Sequence, residues 1–250
     1  MEEFGYTEIH DVTSQWGVFA IAGPKSRDLL KSVLNDADVE SALSNKRFPW
    51  LSAKTIEIGM CPVNAIRVAY TGELGWELHH PIEMQNYLWD RLLLAGSNYG
   101  LKLVGARAQN WLRQEKSYRA FGTELGRDAT PLEADLSRFI DLEKDFFGKQ
   151  KMETIGVRAK CVTVLINGPD DTDPWGREAL YLEDGSKVGR LTSGGYSVVF
   201  NKSIGMGYVR PELAQEGQKL KVKMLNSLWD AEVTCDSPYD PKNEAIRKDG

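Results

Sequence analysis

Hydrophobic and polar positions divide the chain into two stretches of different rhythm. WGVFAIAG (residues 16–23) is an apolar run closed by a turn signal, the pattern of a buried strand. PKSRDLLKSVLN follows, with Leu29, Leu30, Val33 and Leu34 at helical spacing behind Pro24, a residue suited to a first helical position. KTIEIG and VNAIRVAY alternate and predict paired strands. IEMQNYLWDRLLLAGSNYG predicts an amphipathic helix with a glycine stop, and GARAQNWLRQEKSYR a second helix. Strand, helix, strand, strand, helix implies an α+β layer. Near residue 156 the rhythm shortens to KCVTVLI, EALYLEDG, KVGRLTSGGYS, IGMGYV, KLKVKML and LWDAEVTCDSP, with Gly, Asp and Pro between them. Short strands so spaced predict a small antiparallel barrel or sandwich, with LTSGGYS as a turn in it. The expected division is 1–155 and 156–250, linked through FFGKQKMETIGV.

The rhythm breaks at AYTGELGWELHHP, residues 69–81. Gly72 and Gly75 weaken a strand and mark a bulge or a close approach to the backbone. His79 and His80 are adjacent, so on a strand they face opposite ways and cannot share a metal; one faces solvent and one a groove. One reading is a polar ligand against open backbone, with a carboxylate accepting paired N–H donors at about 1.5–3 kcal/mol each. The other is a hairpin with a solvated Glu73 and a structural Glu77, and the pattern alone leaves both open. Elsewhere, LRQEK reads as helix with Arg113 and Glu115 in local ion pairs. TPLEADL places Pro131 at a helix start and Glu133 near its dipole, a structural role.

Composition narrows the function classes. The net charge of −5 is spread over mixed acidic and basic residues, which argues against nucleic acid. Cys61, Cys161 and Cys235 show no CxxC spacing and read as thiols of a reducing compartment, with neither disulfide nor zinc site. No long apolar span or signal-peptide pattern occurs and the N-terminus is acidic and polar, so a cytoplasmic protein without a membrane partner is expected. GxSxG, Walker-type, GxGxxG and HExxH motifs are absent, leaving hydrolase, nucleotide and zinc-protease readings without support.

WGVFAIAGPKSRDLL, AYTGELGWEL, GARAQNWLRQEKSYRAFGTEL, TPLEADL, LEKDFFGKQ and VGRLTSGGYSVVFNKSIGMGYVRPE, in this order, resemble the folate-binding region of the aminomethyltransferase (glycine cleavage T-protein) superfamily. GELGWEL, EKSYRAFGTEL and the tail SPYDPKN favour its dimethylglycine and sarcosine dehydrogenase branch. The resemblance implies an aminomethyltransferase folate-binding α+β fold, incomplete at its N-terminus, then a small antiparallel β-barrel. It also implies that Tyr70 and Glu77 hold the pterin of tetrahydrofolate, with Leu78 and His79 lining the same pocket and Arg138 at a position of aromatic contact to folate. The pterin's amino group and ring N–H lie side by side, a geometry a carboxylate accepts bidentately.

Two departures stand out. Gln109 occupies the place of an arginine that T-proteins carry four residues before the arginine of their LRLE motif, an arginine the dehydrogenase branch also lacks. No residue matches the family's acid–base aspartate, which lies before the part this chain resembles. The expectation is therefore no catalytic residue here, and a chain that is the C-terminal portion of a longer enzyme. In that enzyme FAD, held by an upstream flavoprotein domain or a separate upstream polypeptide, oxidises a methylated amine, and tetrahydrofolate takes the one-carbon unit. Glu133 or Asp135 is the reserve candidate for proton transfer. A catalytically silent regulatory or scaffold member of the superfamily is the alternative.

Overall fold

A computed structural model describes residues 6–169 and 172–249; the first five residues of the polar N-terminus, and of the expected 1–155 domain, lie outside the described residues. Two compact units emerge, and neither is a continuous half of the chain. The first comprises Met1–Ala69, Glu73–Leu103 and Asn243–Gly250, the second Tyr70–Gly72 and Val104–Lys242. Residues 104–155 group with the barrel segment by contacts, because side chains of the helix at 106–115 bond to it.

In the first unit a four-stranded antiparallel sheet runs in the order β1 (Trp16–Ala22), β4 (Gly75–Pro81), β3 (Cys61–Ile66), β2 (Ala53–Ile58). Helices α1 (Ser26–Val33), α2 (Val39–Ala42) and α3 (Gln85–Gly96) complete it. Leu29, Leu30 and Val33 of α1 and Leu88 and Leu92 of α3 share one core with Ile56, Val63, Ala65, Trp76 and Leu78 of the sheet. The apolar run 16–22 was expected to be fully buried. It alternates instead, with only Gly17 and Ile21 buried, because β1 is an edge strand with one covered face.

In the second unit six strands close a barrel in the order β10 (Ser227–Thr234), β5 (Lys160–Ile166), β8 (Lys202–Val209), β7 (Lys187–Ser197), β6 (Ala179–Tyr181), β9 (Lys219–Met224). Val164, Ile166, Leu180, Leu191, Val222 and Val233 fill its core. The helices α4 (Ala106–Glu115) and α5 (Lys149–Ile155) precede it, and α6 (Glu244–Arg247) returns to the first unit. LTSGGYS is no turn: it lies in β7, which pairs with β8 across a register shift between Leu191 and Ser193. Among the described residues no helix is long and apolar enough to cross a membrane.

Candidate functional site

The stretch 69–81 resolves into a loop and β4, and strand alternation sorts its side chains. Trp76, Leu78 and His80 are buried, while Glu77 and His79 stand half-exposed on the open face of the sheet. Glu77 lies between Ala20 of β1 and Ile66 of β3, and His79 between Val18 and Asn64. The two side chains meet, His79 Nε2 lying 3.2 Å from Glu77 Oε2. Glu77 Oε1 has no partner among the described residues. A carboxylate with one oxygen committed and one open, beside an imidazole on an accessible face, can accept from a flat ligand carrying adjacent N–H donors.

Leu78 corrects the expectation that it lines the same surface. Its side chain is fully buried in the core, because successive residues of a strand face opposite ways. His80 is buried, with Nδ1 2.9 Å from the Leu78 carbonyl oxygen and its ring 4.8 Å from that of Phe19; the two histidines face opposite ways as expected, but His80 lies in the interior and not in a groove. The glycines serve the protein itself rather than a ligand. A Cβ at Gly75 would stand 2.6 Å from the Ile21 carbonyl oxygen, and one at Gly72, where φ is 81°, 2.4 Å from the Lys116 stem. Lys116 is itself buried and donates through Nζ to the carbonyls of Tyr239 (3.1 Å) and Asp240 (2.7 Å).

Tyr70 belongs to the second unit. Its hydroxyl donates to the Arg119 carbonyl at 2.9 Å and its ring stacks on Tyr118 at 5.8 Å and 18°. Burial pushes the phenol above its ordinary range. Arg138 is half-exposed, lies over the Phe139 ring at 4.9 Å and pairs with Asp236 at 3.1 Å. Its guanidinium stacking surface is thus already turned to an aromatic ring.

The local ion pairs expected in LRQEK do not form. Arg113 reaches Glu124 at 3.0 Å and Ser193 Oγ at 2.7 Å, and Glu115 accepts from Ser197 Oγ at 2.5 Å. Burial opposes ionisation of Glu124, but the Arg113 charge and the hydroxyls of Ser193 and Thr192 outweigh it, holding the carboxyl below its ordinary range. This buried network was missed. Its one sequence signal was TSGGYS, a run of hydroxyls and glycines on a strand otherwise read as a turn. The 130–135 segment is turn rather than helix. In it Glu133 is buried and accepts from Arg158 Nε (2.8 Å) and Nη2 (3.0 Å), and Asp135 lies against Lys160 (3.2 Å) and Arg119 (3.5 Å).

Comparison with known proteins bears on the family and the fold. The family profile described as "GCVT N-terminal domain" matches residues 2–144, and that of the "Glycine cleavage T-protein C-terminal barrel domain" matches 160–240. The chain belongs to the glycine cleavage T-protein family. Mouse mitochondrial dimethylglycine dehydrogenase is 38% identical over 98% of this chain, which spans only 28% of that protein. An aminomethyltransferase of Caldanaerobacter subterraneus is 35% identical over 94% of the chain, which spans 62% of it. Among solved structures, the crystal structure of glycine cleavage system aminomethyltransferase T from Bartonella henselae superposes with a TM-score of 0.77 over 94% of the chain, at 21% identity, a likeness of fold. A T-protein-type α+β region followed by its barrel is therefore the architecture, as the motifs implied.

Proposed function

We propose that this chain binds tetrahydrofolate as part of an enzyme that moves a one-carbon unit from a methylated amine. The observation that carries the proposal is Glu77, whose carboxylate has one oxygen on His79 and the other open on the accessible face of the sheet. That acceptor fits a pterin, which offers an amino group and a ring N–H as donors side by side. Family membership supports it, as do relatives named dimethylglycine dehydrogenase, sarcosine dehydrogenase and aminomethyltransferase. Tetrahydrofolate, when bound, supplies the nitrogens that accept the one-carbon unit.

The residues of this chain would bind and orient. Glu77 accepts the pterin's donors, and His79, 3.2 Å away, fixes the rotamer of that carboxylate. In the second unit, the Tyr70 hydroxyl is committed to the Arg119 carbonyl, and Arg138 to the Phe139 ring and Asp236. FAD and the oxidation of the amine belong, in this reading, to a flavin-bearing domain or polypeptide outside the chain.

Calorimetric titration with tetrahydrofolate tests this. Saturable binding is expected, weakened by about 1.5–3 kcal/mol in Glu77→Gln, which replaces an acceptor oxygen by a donor. Glu73→Gln should leave affinity essentially unchanged. Equal losses would assign the pterin to the wrong carboxylate. A well-folded chain that binds no tetrahydrofolate would favour the catalytically silent scaffold instead.

A further inference from the structure

Within the second unit, β7, β8 and the loop at 122–129 line a half-open cavity of about 490 Å³ that the folate reading does not use. That volume suits a small organic ligand. Its walls combine the apolar side chains of Leu125, Ala129 and Ala159 with three arginines, Arg158, Arg177 and Arg190.

The charges there are not balanced. Of the three carboxylates in the lining, Glu124 is committed to Arg113 at 3.0 Å and to the hydroxyls of Ser193 and Thr192. Glu133 is committed to Arg158. Asp128 bears electrostatically on Arg158, and neither the Arg177 nor the Arg190 guanidinium group has a side-chain partner among the described residues. An adjoining groove adds Lys187, while Arg210 in that groove is paired with Glu212 at 3.3 Å. The positive excess runs against the balance of a chain whose net charge is −5.

The arginines are also held in place. The Glu178 carboxylate accepts the N–H groups of Trp175 (2.8 Å) and Gly176 (2.9 Å), and Arg177 N–H donates to the Leu191 carbonyl at 2.8 Å. This fixes Arg177 at φ 84°, a conformation that a non-glycine residue keeps only where its surroundings impose it. Arg190 stands on β7 opposite Tyr208 of β8. Arg158 is locked by Glu133 and by the Asp128 carbonyl at 2.8 Å. The Arg158 fork is thus held by its partners, while Arg177 and Arg190 present exposed side chains from an ordered backbone. Guanidinium forks suit the planar or tetrahedral oxygens of carboxylate or phosphate.

We propose that this cavity binds a small organic anion, its carboxylate or phosphate engaged by Arg177 and Arg190 and its carbon body laid against Leu125, Ala129 and Ala159. Calorimetric titration of the chain at low salt, with glutarate and with inorganic phosphate as probes, tests it. Saturable binding of at least one probe is expected. Arg177→Gln and Arg190→Gln should each weaken it about tenfold, the loss of one charge-assisted contact. Asp128→Asn, which removes the remaining opposing charge, should tighten it, an effect that no loss of fold could produce. Lys54→Gln, in the other unit, is the control. Binding of glutarate alone would assign a carboxylate ligand, and binding of phosphate alone a phosphate ester. The proposal is overturned if neither probe saturates, if both arginine variants bind as the parent does while their circular dichroism is unchanged, or if Asp128→Asn fails to tighten.

Discussion

At the scale of single residues, Glu133 shows how a carboxylate in the right neighbourhood for chemistry can be committed to structure. Hydrogen bonds from Arg158 come first among the influences on it and outweigh burial, and with the N–H groups of Thr130 and Arg158 they hold its pKa down to about 2. A carboxyl ionised from about pH 2 upward carries no proton to give at neutral pH, so the reserve candidate for proton transfer is not an acid there. Because the folded value lies below the ordinary 4.5, the contribution to stability is present above that pH and is lost as pH falls toward 2. Glu133→Gln should lower stability at pH 7 by about 1–3 kcal/mol, the smaller figure reflecting the solvent screening of a half-exposed Arg158. Urea unfolding at a series of pH values should show the gap from the parent closing between about pH 4.5 and 2, and a constant gap would refute the assignment. A structural role for Glu133 was expected, but from a helix dipole that the turn at 131–135 does not provide. Its partner, 25 residues on, was not legible, since a single sequence carries no mark of which distant arginine folds back. The exposed facing of Glu77 follows from strand alternation, which is local and fixes the facing of every neighbour, and consistent use of it would also have placed Leu78 in the core.

At the scale of elements, α4 is fastened to the barrel by consecutive residues. Arg113 reaches Ser193, Gln114 donates to the Gly194 carbonyl at 3.2 Å, and Glu115 accepts from Ser197. Such proximity leaves no room on the strand where Trp111 crosses it. A Cβ at Gly195 would stand 2.1 Å from Trp111 Cδ1, and the indole is held from elsewhere by Tyr196 at 6.4 Å and Arg107 at 5.3 Å. Gly195→Ala should therefore cost about 1–3 kcal/mol through displaced packing. Thermal unfolding followed by tryptophan fluorescence measures it, and an unchanged midpoint would mean that the indole moves aside freely. The same glycines explain why LTSGGYS reads as a turn in sequence and folds as strand. Paired glycines are turn residues by local preference; pairing with β8 and close packing, of Pro174 on Gly194 and of Trp111 on Gly195, make them strand residues. Element type was legible wherever the period ran long, in α1, α3 and most barrel strands. It failed where a tertiary contact set the residue.

At the scale of the molecule, the first unit is completed by the end of the chain. Arg27 and Arg67 flank Trp76, their guanidinium carbons 5.6 and 5.7 Å from the indole, and both are buried. Burial, then the neighbouring Arg27 charge, pushes Arg67 down to about 10. Two close cations in a core need acceptors, and residues 243–249 supply several. Arg27 donates to the Lys248 carbonyl at 2.6 Å and to Asp249 at 3.1 Å, and Arg67 to the Ile246 carbonyl at 3.3 Å. Ile246 is buried, and Arg247 lies over the Trp50 ring at 4.7 Å. Nothing in a polar tail of four charged residues among its last seven announces that task, because the demand for it lies some two hundred positions earlier. Ending the chain after Lys242 should expose both guanidinium groups to a core without enough acceptors and destabilise the first unit by about 3–5 kcal/mol. Asp249→Asn should cost less than about 1 kcal/mol, since that carboxylate is more than half exposed and backbone carbonyls carry most of the pairing. Hydrogen exchange separates these outcomes. Amides of α1 and β3 should lose protection in the shortened chain while those of β5 and β8 keep theirs, and protection retained throughout the first unit would show that its two arginines find their acceptors without the tail.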